Sequence, residues 1–287
     1  MAAIYKKEVR SYFTAMIGCV FIAFALAIIS LYFYAVNLSS GYPYLGYSLS
    51  ATMVIFMILI PVLTMKSMAE DRRQKTDQML LTAPVTTWKI IISKYMAMVT
   101  VFMVPVCIVL FYPLIMSQYG TISYAMAYTS ILGFALFGFL AIAIGLFISS
   151  ITESQVIAAV VTFLILFVSY MAEAIADLIP STAWVSFAAL AIIVAVIAII
   201  IYWLTQSFGV GLIVGIIGIG GLLIKYLVDS SSFEGLMANL VSSLSLTAHF
   251  NNFVSGMIDI PGIIFYLSGS FLFLFLSVQA VEKRRWC

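Results

Sequence analysis

Residues 66–94 read KSMAEDRRQKTDQMLLTAPVTTWKIIISK, the one long polar passage in a chain that is otherwise nearly continuous hydrocarbon. The passage holds Lys66, Arg72, Arg73, Lys75, Lys89 and Lys94, six of the thirteen basic residues, with Glu70, Asp71 and Asp77 from the eleven acidic ones. Around it, 64% of the 287 residues are hydrophobic and 8% are charged, with a mean hydropathy of +1.20. Soluble domains carry about 25% charged residues, so the composition describes a polytopic membrane protein. In such a chain the distribution of charge says more than the net charge of +2. A loop this polar is either a solvated segment whose charges set topology or a platform on which a soluble partner docks.

Working outward from the loop, a spanning helix needs about 20 mainly apolar residues. That rule places eight spans, near 15–36, 48–65, 95–116, 125–149, 156–177, 184–204, 207–227 and 260–281. The turn NLSSGYPYLGYS (37–48) divides the first two, and SQYGTIS (117–123) divides the third and fourth. SSITESQ (149–155) joins the fourth and fifth, and its Thr152 and Gln155 have the T-x-x-Q spacing of a capping box. Pro180 stops the fifth span, and Thr205, Gln206 and Ser207 alone separate the sixth and seventh, which form a hairpin over 184–227. Before the first span, Ile4, Tyr5, Val9, Tyr12 and Phe13 recur at helical spacing opposite Lys6, Lys7 and Arg10. The pattern predicts a helix in the membrane interface over 1–14, with its basic face toward anionic headgroups; a frayed start to the first span is the simpler alternative.

Placing the N-terminus in the cytosol puts twelve of the thirteen Lys and Arg residues inside and leaves only Lys225 toward the outside. Both termini are then cytosolic, which agrees with an even number of spans. The outer stretch 229–259 has Leu236, Leu240 and Leu244, then Phe250, Phe253, Val254 and Met257, at intervals of three or four. It is too polar to span and reads as an amphipathic segment at the outer leaflet.

The chemistry-bearing motifs are few. No G-x-x-x-x-G-K-[ST] phosphate loop occurs, so ATP hydrolysis is not expected from this chain. In GVGLIVGIIGIGG (209–221), Gly211, Gly215 and Gly218 share a helix face suited to close helix packing. Cys19, Cys107 and Cys287 have no metal-ligand spacing, and no cofactor or metal is expected. The apolar run after Arg10 is too long for a cleavable leader, and no extended basic face supports nucleic-acid binding. Within the polar loop, Met79, Leu80 and Leu81 give an apolar tip beside Glu70, Asp71, Arg72 and Arg73, a shape suited to a partner's groove. Glu153 lies in the only other charged cytosolic turn; it is a second contact candidate or an N-terminal dipole partner for the fifth span. Glu173 and Asp177, one turn apart, and Lys225 sit near the outer ends of their spans. They read as a Glu173–Lys225 pair lining an outer cavity or as side chains snorkelling to the interface. His249 has no carboxylate close in sequence and is read as structural.

Four stretches resemble the permease subunits of ABC-2 type transporters, in the branch associated with gliding motility and nitrous-oxide-reductase maturation. They are IYKKEVRSYF (4–13), MAEDRRQKTDQMLLTAPVTTWKIIISKY (68–95), LFISSITESQ (146–155) and the closing block from Leu244 to Trp286. The resemblance implies a single transmembrane permease domain over 1–287 of the type V exporter kind, with residues 1–14 as an elbow helix. It makes 66–94 a coupling loop in which Glu70, Asp71, Arg72, Arg73, Thr76, Met79, Leu80, Leu81 and Glu153 meet a separate ATP-binding cassette subunit that holds ATP and Mg. It further implies outward transport, a bacterial cytoplasmic membrane, a second permease copy or related permease, an accessory extracytoplasmic subunit and surrounding lipids. The wider class usually has six spans, so the 184–227 hairpin is an addition.

Two other function classes stand beside a permease driven by a partner ATPase. An ion-coupled secondary transporter calls for acidic or His residues near the bilayer midplane, and the spans have none there. A non-transporting membrane anchor of a complex has no sequence feature for or against it. An intramembrane enzyme is disfavoured by the lack of a nucleophile setting, a His pair or metal spacing on any span.

Overall fold

The structure, a computed structural model, describes residues 2–75, 85–192 and 233–286, together with 194, 220, 223 and 225. All regular structure among them is helical. In order the helices are α1 (Ala2–Thr14), α2 (Ile17–Tyr32) with a π-helical continuation (Phe33–Ser39), α3 (Leu45–Thr64), α4 (Lys66–Arg73) and α5 (Thr87–Val109). Then come α6 (Tyr112–Met116), α7 (Tyr124–Ile151), α8 (Gln155–Leu178), α9 (Ala183–Ile192), α10 (Leu236–Ser243), α11 (Leu246–Val254) and α12 (Ile260–Trp286).

Among the described residues, six helical stretches are long and apolar enough to cross a membrane: Ile17–Ser39, Leu45–Arg73, Thr87–Met116, Tyr124–Ile151, Gln155–Leu178 and Ile260–Lys283. They coincide with six of the eight spans expected. The other two, over 184–204 and 207–227, fall mostly outside the described residues, as does Gly211–Gly218; α9 is the described start of the first of them. The third span begins at Thr87, eight residues before the apolar run, because TWKIIISK continues the helix through its polar residues.

Two units divide the chain, residues 1–168 with 249–287, and residues 169–248. In the first, α7 is the central helix, packed against α3, α5 and α12, while α1 lies against α5 and α2. Hydrophobic force does not hold helices together in lipid, so close approach of small residues matters more. A Cβ on Gly138 would collide with the Phe102 ring of α5, and one on Gly145 with Thr64 of α3. Gly138 and Gly145 lie two turns apart, so one face of α7 receives both neighbours. Phe56, Phe102 and Phe134 fill the middle of this layer, with ring centroids 5.0 to 6.1 Å apart. The turn between α2 and α3 is fastened by Asn37, whose amide donates to the Tyr42 and Tyr44 carbonyls at 2.8 and 3.2 Å.

The chain enters the first span through a sharp joint. Met16 has φ 59°, in the left-handed region that few residues other than glycine adopt, and this turns α1 away from the line of α2. The helix expected over 1–14 is therefore a separate element. In the second unit, Ser186 Oγ accepts from the Met237 amide at 3.4 Å and the Ser181 carbonyl accepts from Gly235 at 3.0 Å, joining the start of α9 to that of α10.

Replacing Gly138 or Gly145 by Val forces α7 off its neighbours, a destabilisation of about 1–3 kcal/mol by overpacking. Thermal unfolding of the detergent-solubilised protein measures it. Gly120→Ala, where a Cβ meets nothing within 4 Å, should leave the transition unmoved.

Candidate functional site

Glu8, Asp71, Arg72 and Lys94 of the first unit come together where α1, α4, the start of α5 and the α7–α8 turn meet. Lys94 lies about two turns into α5 and is 1% exposed. A lone ammonium there would cost several kcal/mol in lost hydration. Its three N–H donors are matched by three acceptors: Asp71 Oδ2 on α4 at 2.6 Å, Glu8 Oε1 on α1 at 3.1 Å and the Ser67 carbonyl at 2.7 Å. One buried cation thus ties three helices together. Beside it the Tyr12 hydroxyl is buried and donates to the Leu63 carbonyl at 3.4 Å. Burial, reinforced by the Glu8 carboxylate, holds its pKa well above the ordinary phenol range, so the ring stays neutral.

Helix α4 follows α3 after a break at Met65, and Ser149 of α7 occupies that break. Its Oγ accepts from the Met68 and Ala69 amides, both at 3.1 Å, and donates to the Met65 carbonyl at 3.3 Å. A side chain inserted in the i→i−4 ladder is a known cause of helix bending, and here it also supplies the acceptor that a helix start needs. At the other end of α4, Arg72 is buried and its Nη1 donates to the Thr152 carbonyl at 3.4 Å.

The residues expected to meet a partner therefore separate by position. Asp71 and Arg72 are engaged within the unit. Glu70 is half-buried, paired with Lys66 at 3.2 Å and accepting from Gln74 at 3.1 Å. Arg73, Lys75 and Glu153 are exposed. Thr76, Met79, Leu80 and Leu81 lie outside the described residues. The capping box at Thr152 and Gln155 does not form. Thr152 Oγ1 donates back to the Ile148 carbonyl at 3.0 Å, and α8 starts from Ser154, whose Oγ accepts from the Ile157 amide at 3.5 Å. Thr152 is held in the end of α7, and the serine two residues later is left at the N-cap position.

Lys94, Glu8, Ser67 and Ser149 were not singled out as site residues from sequence. The available signals were weak: Glu8 is the one acid of α1, and Lys94 stands alone between IIIS and YMAM.

At the opposite end of the unit, His249 Nδ1 lies 4.0 Å from Asp259 Oδ2, which also accepts from Asn252 Nδ2 at 2.8 Å. The carboxylate missing from the local sequence around His249 is thus ten residues downstream. The His249 ring stacks on Phe265 with centroids 4.3 Å apart. Thr129 and Ser130 of α7 both donate to the Phe253 carbonyl, at 3.2 and 3.3 Å. In the second unit, Glu173 Oε2 accepts from Thr247 at 3.5 Å, Asp177 is exposed, and Lys225 Nζ sits 5.9 Å from the Phe233 ring centroid. Among the described residues no ion pair joins Glu173 to Lys225, and no group of three His, Cys, Asp or Glu side chains is placed to hold a metal.

Lys94→Met strands the buried Glu8 and the half-buried Asp71 carboxylates, and the loss should reach about 3–5 kcal/mol. The triple variant Lys94→Met, Glu8→Gln, Asp71→Asn should recover most of it. Ser149→Ala leaves two amides without their acceptor and should cost about 1–3 kcal/mol. Thermal melts of the purified variants compare all three.

A family model described as ABC-2 family transporter protein matches residues 36–187, just over half of the chain. The match takes in α4, Lys94 and Ser149 but not α1 or the closing block. No curated protein and no solved structure matches the chain.

Proposed function

The chain belongs to the ABC-2 family of transporter proteins, and from that premise we propose that it is the transmembrane permease subunit of an ABC transporter, driven by a separate ATP-hydrolysing subunit. That subunit docks on the 66–94 loop at the cytosolic face, and the permease moves its substrate outward across a bacterial cytoplasmic membrane. The chain itself hydrolyses nothing and holds no cofactor; ATP and Mg belong to the partner. It works with a second permease copy or a related permease and an accessory extracytoplasmic subunit, in the gliding-motility and nitrous-oxide-reductase-maturation branch.

The observation that carries this reading is the placement of exposed basic residues on a buried lock. Arg73 and Lys75 stand exposed at the end of α4, while the inner face of the same helix is fixed by Lys94, Ser149 and the Thr152 carbonyl. A partner that pushes on such a helix acts through charge and hydrogen bonds on α1, α5 and α7 together. A lever needs that stiffness, because a loosely attached helix would absorb the stroke locally.

Purification from native membranes tests the reading. An ATPase subunit should elute with the unaltered chain, and Arg73→Glu with Lys75→Glu should weaken its retention roughly tenfold, about 1.4 kcal/mol, without shifting the melting temperature. Elution of the permease alone, with flux that follows a proton gradient, would overturn it in favour of an ion-coupled transporter.

A further inference from the structure

A groove of about 360 Å³ runs between α1 and α5, lined by Ala2, Tyr5, Ile92, Ser93, Met96 and Thr100. Its size falls within the about 300–1,000 Å³ of small-molecule sites, and its chemistry is that of hydrocarbon. The hydroxyls in the lining have no proton left to offer an occupant. Thr100 Oγ1 donates to the Met96 carbonyl at 2.8 Å, so the Tyr5 hydroxyl, 2.8 Å away, is the donor of the Tyr5–Thr100 pair. Ser93 Oγ donates to the Lys89 carbonyl at 2.6 Å. A sugar or nucleotide would find no hydroxyl donor here, whereas an alkyl chain needs none.

The two ends of the groove differ. Tyr5 meets Thr100 and Glu8 meets Lys94, so residue numbers rise along α1 as they fall along α5. Lys6 follows Ala2 by four residues and Lys89 precedes Ser93 by four, so each shares the groove's side of its helix. Both therefore lie toward the same end. Lys89 is the third residue of the spanning stretch Thr87–Met116, which puts that end at the membrane–water boundary. Lys6 and Lys89 are exposed and make no ion pair among the described residues. No acid of these helices opposes them: Glu8, the single one of α1, is turned to Lys94, and α5 has none. Toward the other end Met96 is exposed, and farther along α5 so are Cys107 and Ile108, a strip that faces lipid. From Ile92 to Thr100 the groove is about 12 Å long at 1.5 Å per residue. That suits part of one acyl chain better than a partner helix, which would seek a strip closer to the roughly 30 Å of a full span.

We propose that this groove holds one acyl chain of an anionic phospholipid, with the headgroup phosphate between Lys6 and Lys89. A zwitterionic headgroup would bring its own cation to a rim that already carries two. The site is more specific than a basic helix resting on a charged surface. Lys7, the neighbour of Lys6, lies on another side of α1, beside Ser11 and Glu70 in a separate cleft, and takes no part in it. The inference rests on the multi-pass membrane placement alone and stands whether or not the chain is a permease.

The experiment uses the full chain in detergent, titrated with dioleoyl phosphatidylglycerol or dioleoyl phosphatidylcholine, with native mass spectrometry and melting temperature as readouts. One phosphatidylglycerol per chain should stay bound under conditions that strip the choline lipid, and should raise the melting temperature by several degrees over it. Lys6→Ala and Lys89→Ala should each weaken retention about fivefold, the effect of one basic residue at an anionic membrane surface. Lys7→Ala should leave retention unchanged. Met96→Trp, which keeps both lysines and fills the groove, should remove the bound lipid while the lipid-free protein melts as before. Equal retention of the two lipids, equal losses from Lys7→Ala and Lys6→Ala, or lipid that survives Met96→Trp would each overturn the proposal. So would free glycerol phosphate giving the same increment, or a dimer that Met96→Trp dissociates, which would make a second copy the occupant.

Discussion

The ammonium of Lys94 has left water, and every nearby element is arranged around that fact. Burying one charge costs several kcal/mol, and the cost is offset only when geometry and hydrogen bonding are complete. Here completeness requires an acid from α1, an acid from α4 and a carbonyl from the first turn of α4. If any of these helices shifts by a few ångströms, a charge is left unpaired in a medium that solvates it poorly. The three helices are thus constrained to move together. Ser149 extends the constraint to α7 by standing inside the hydrogen-bond ladder at the α3–α4 break.

Between the two polar ends the constraint is of another kind. In hydrocarbon, helices gain little by leaving lipid for each other, and association depends on packing distance. Gly138 and Gly145 let α5 and α3 come within direct contact of the α7 backbone, with Phe102 and Thr64 filling the space a Cβ would take. At the far end the Thr129 and Ser130 hydroxyls on the Phe253 carbonyl do for α11 what Ser149 does for α4. The first unit is therefore clamped by polar contacts at both ends and by close packing between them. α7 takes part in all three.

The helical class and six spans were legible because they depend on local sums: a run of apolar residues long enough to cross a bilayer is visible without its neighbours. The separate helix before the first span was legible for a similar reason, since its periodicity is local. Lys94 was not. Its partners Glu8 and Asp71 lie 86 and 23 positions away, and only the packing of α1 and α4 onto α5 brings them within reach. Counted as loop charge, Lys94 looked like one more topology signal. Thr152 misled for a different reason: the T-x-x-Q spacing does not reveal that the threonine still belongs to the end of the preceding helix. His249 and Asp259 are ten positions apart, and the turn around Gly256 with φ 81°, which brings them to 4.0 Å, is not visible in the spacing.

The acidic-basic cluster of the polar loop shows how a correct observation about charge divides once the helix is known. Residues four apart share a face of a helix. Ser67 and Asp71 face Lys94, and Met68 and Arg72, the next such pair, are buried. Lys66 and Glu70 pair with each other away from that interior, followed on the same side by Arg73. One short helix thus carries a set of charges that belongs to the fold and a set that is offered to solvent, alternating along the sequence. Removing Arg72 disturbs the α7–α8 turn, whereas removing Arg73 changes only what the surface presents. A loss of partner binding on substituting the whole cluster would conflate the two. The faces must be altered separately before the loop's chemistry toward any partner can be read.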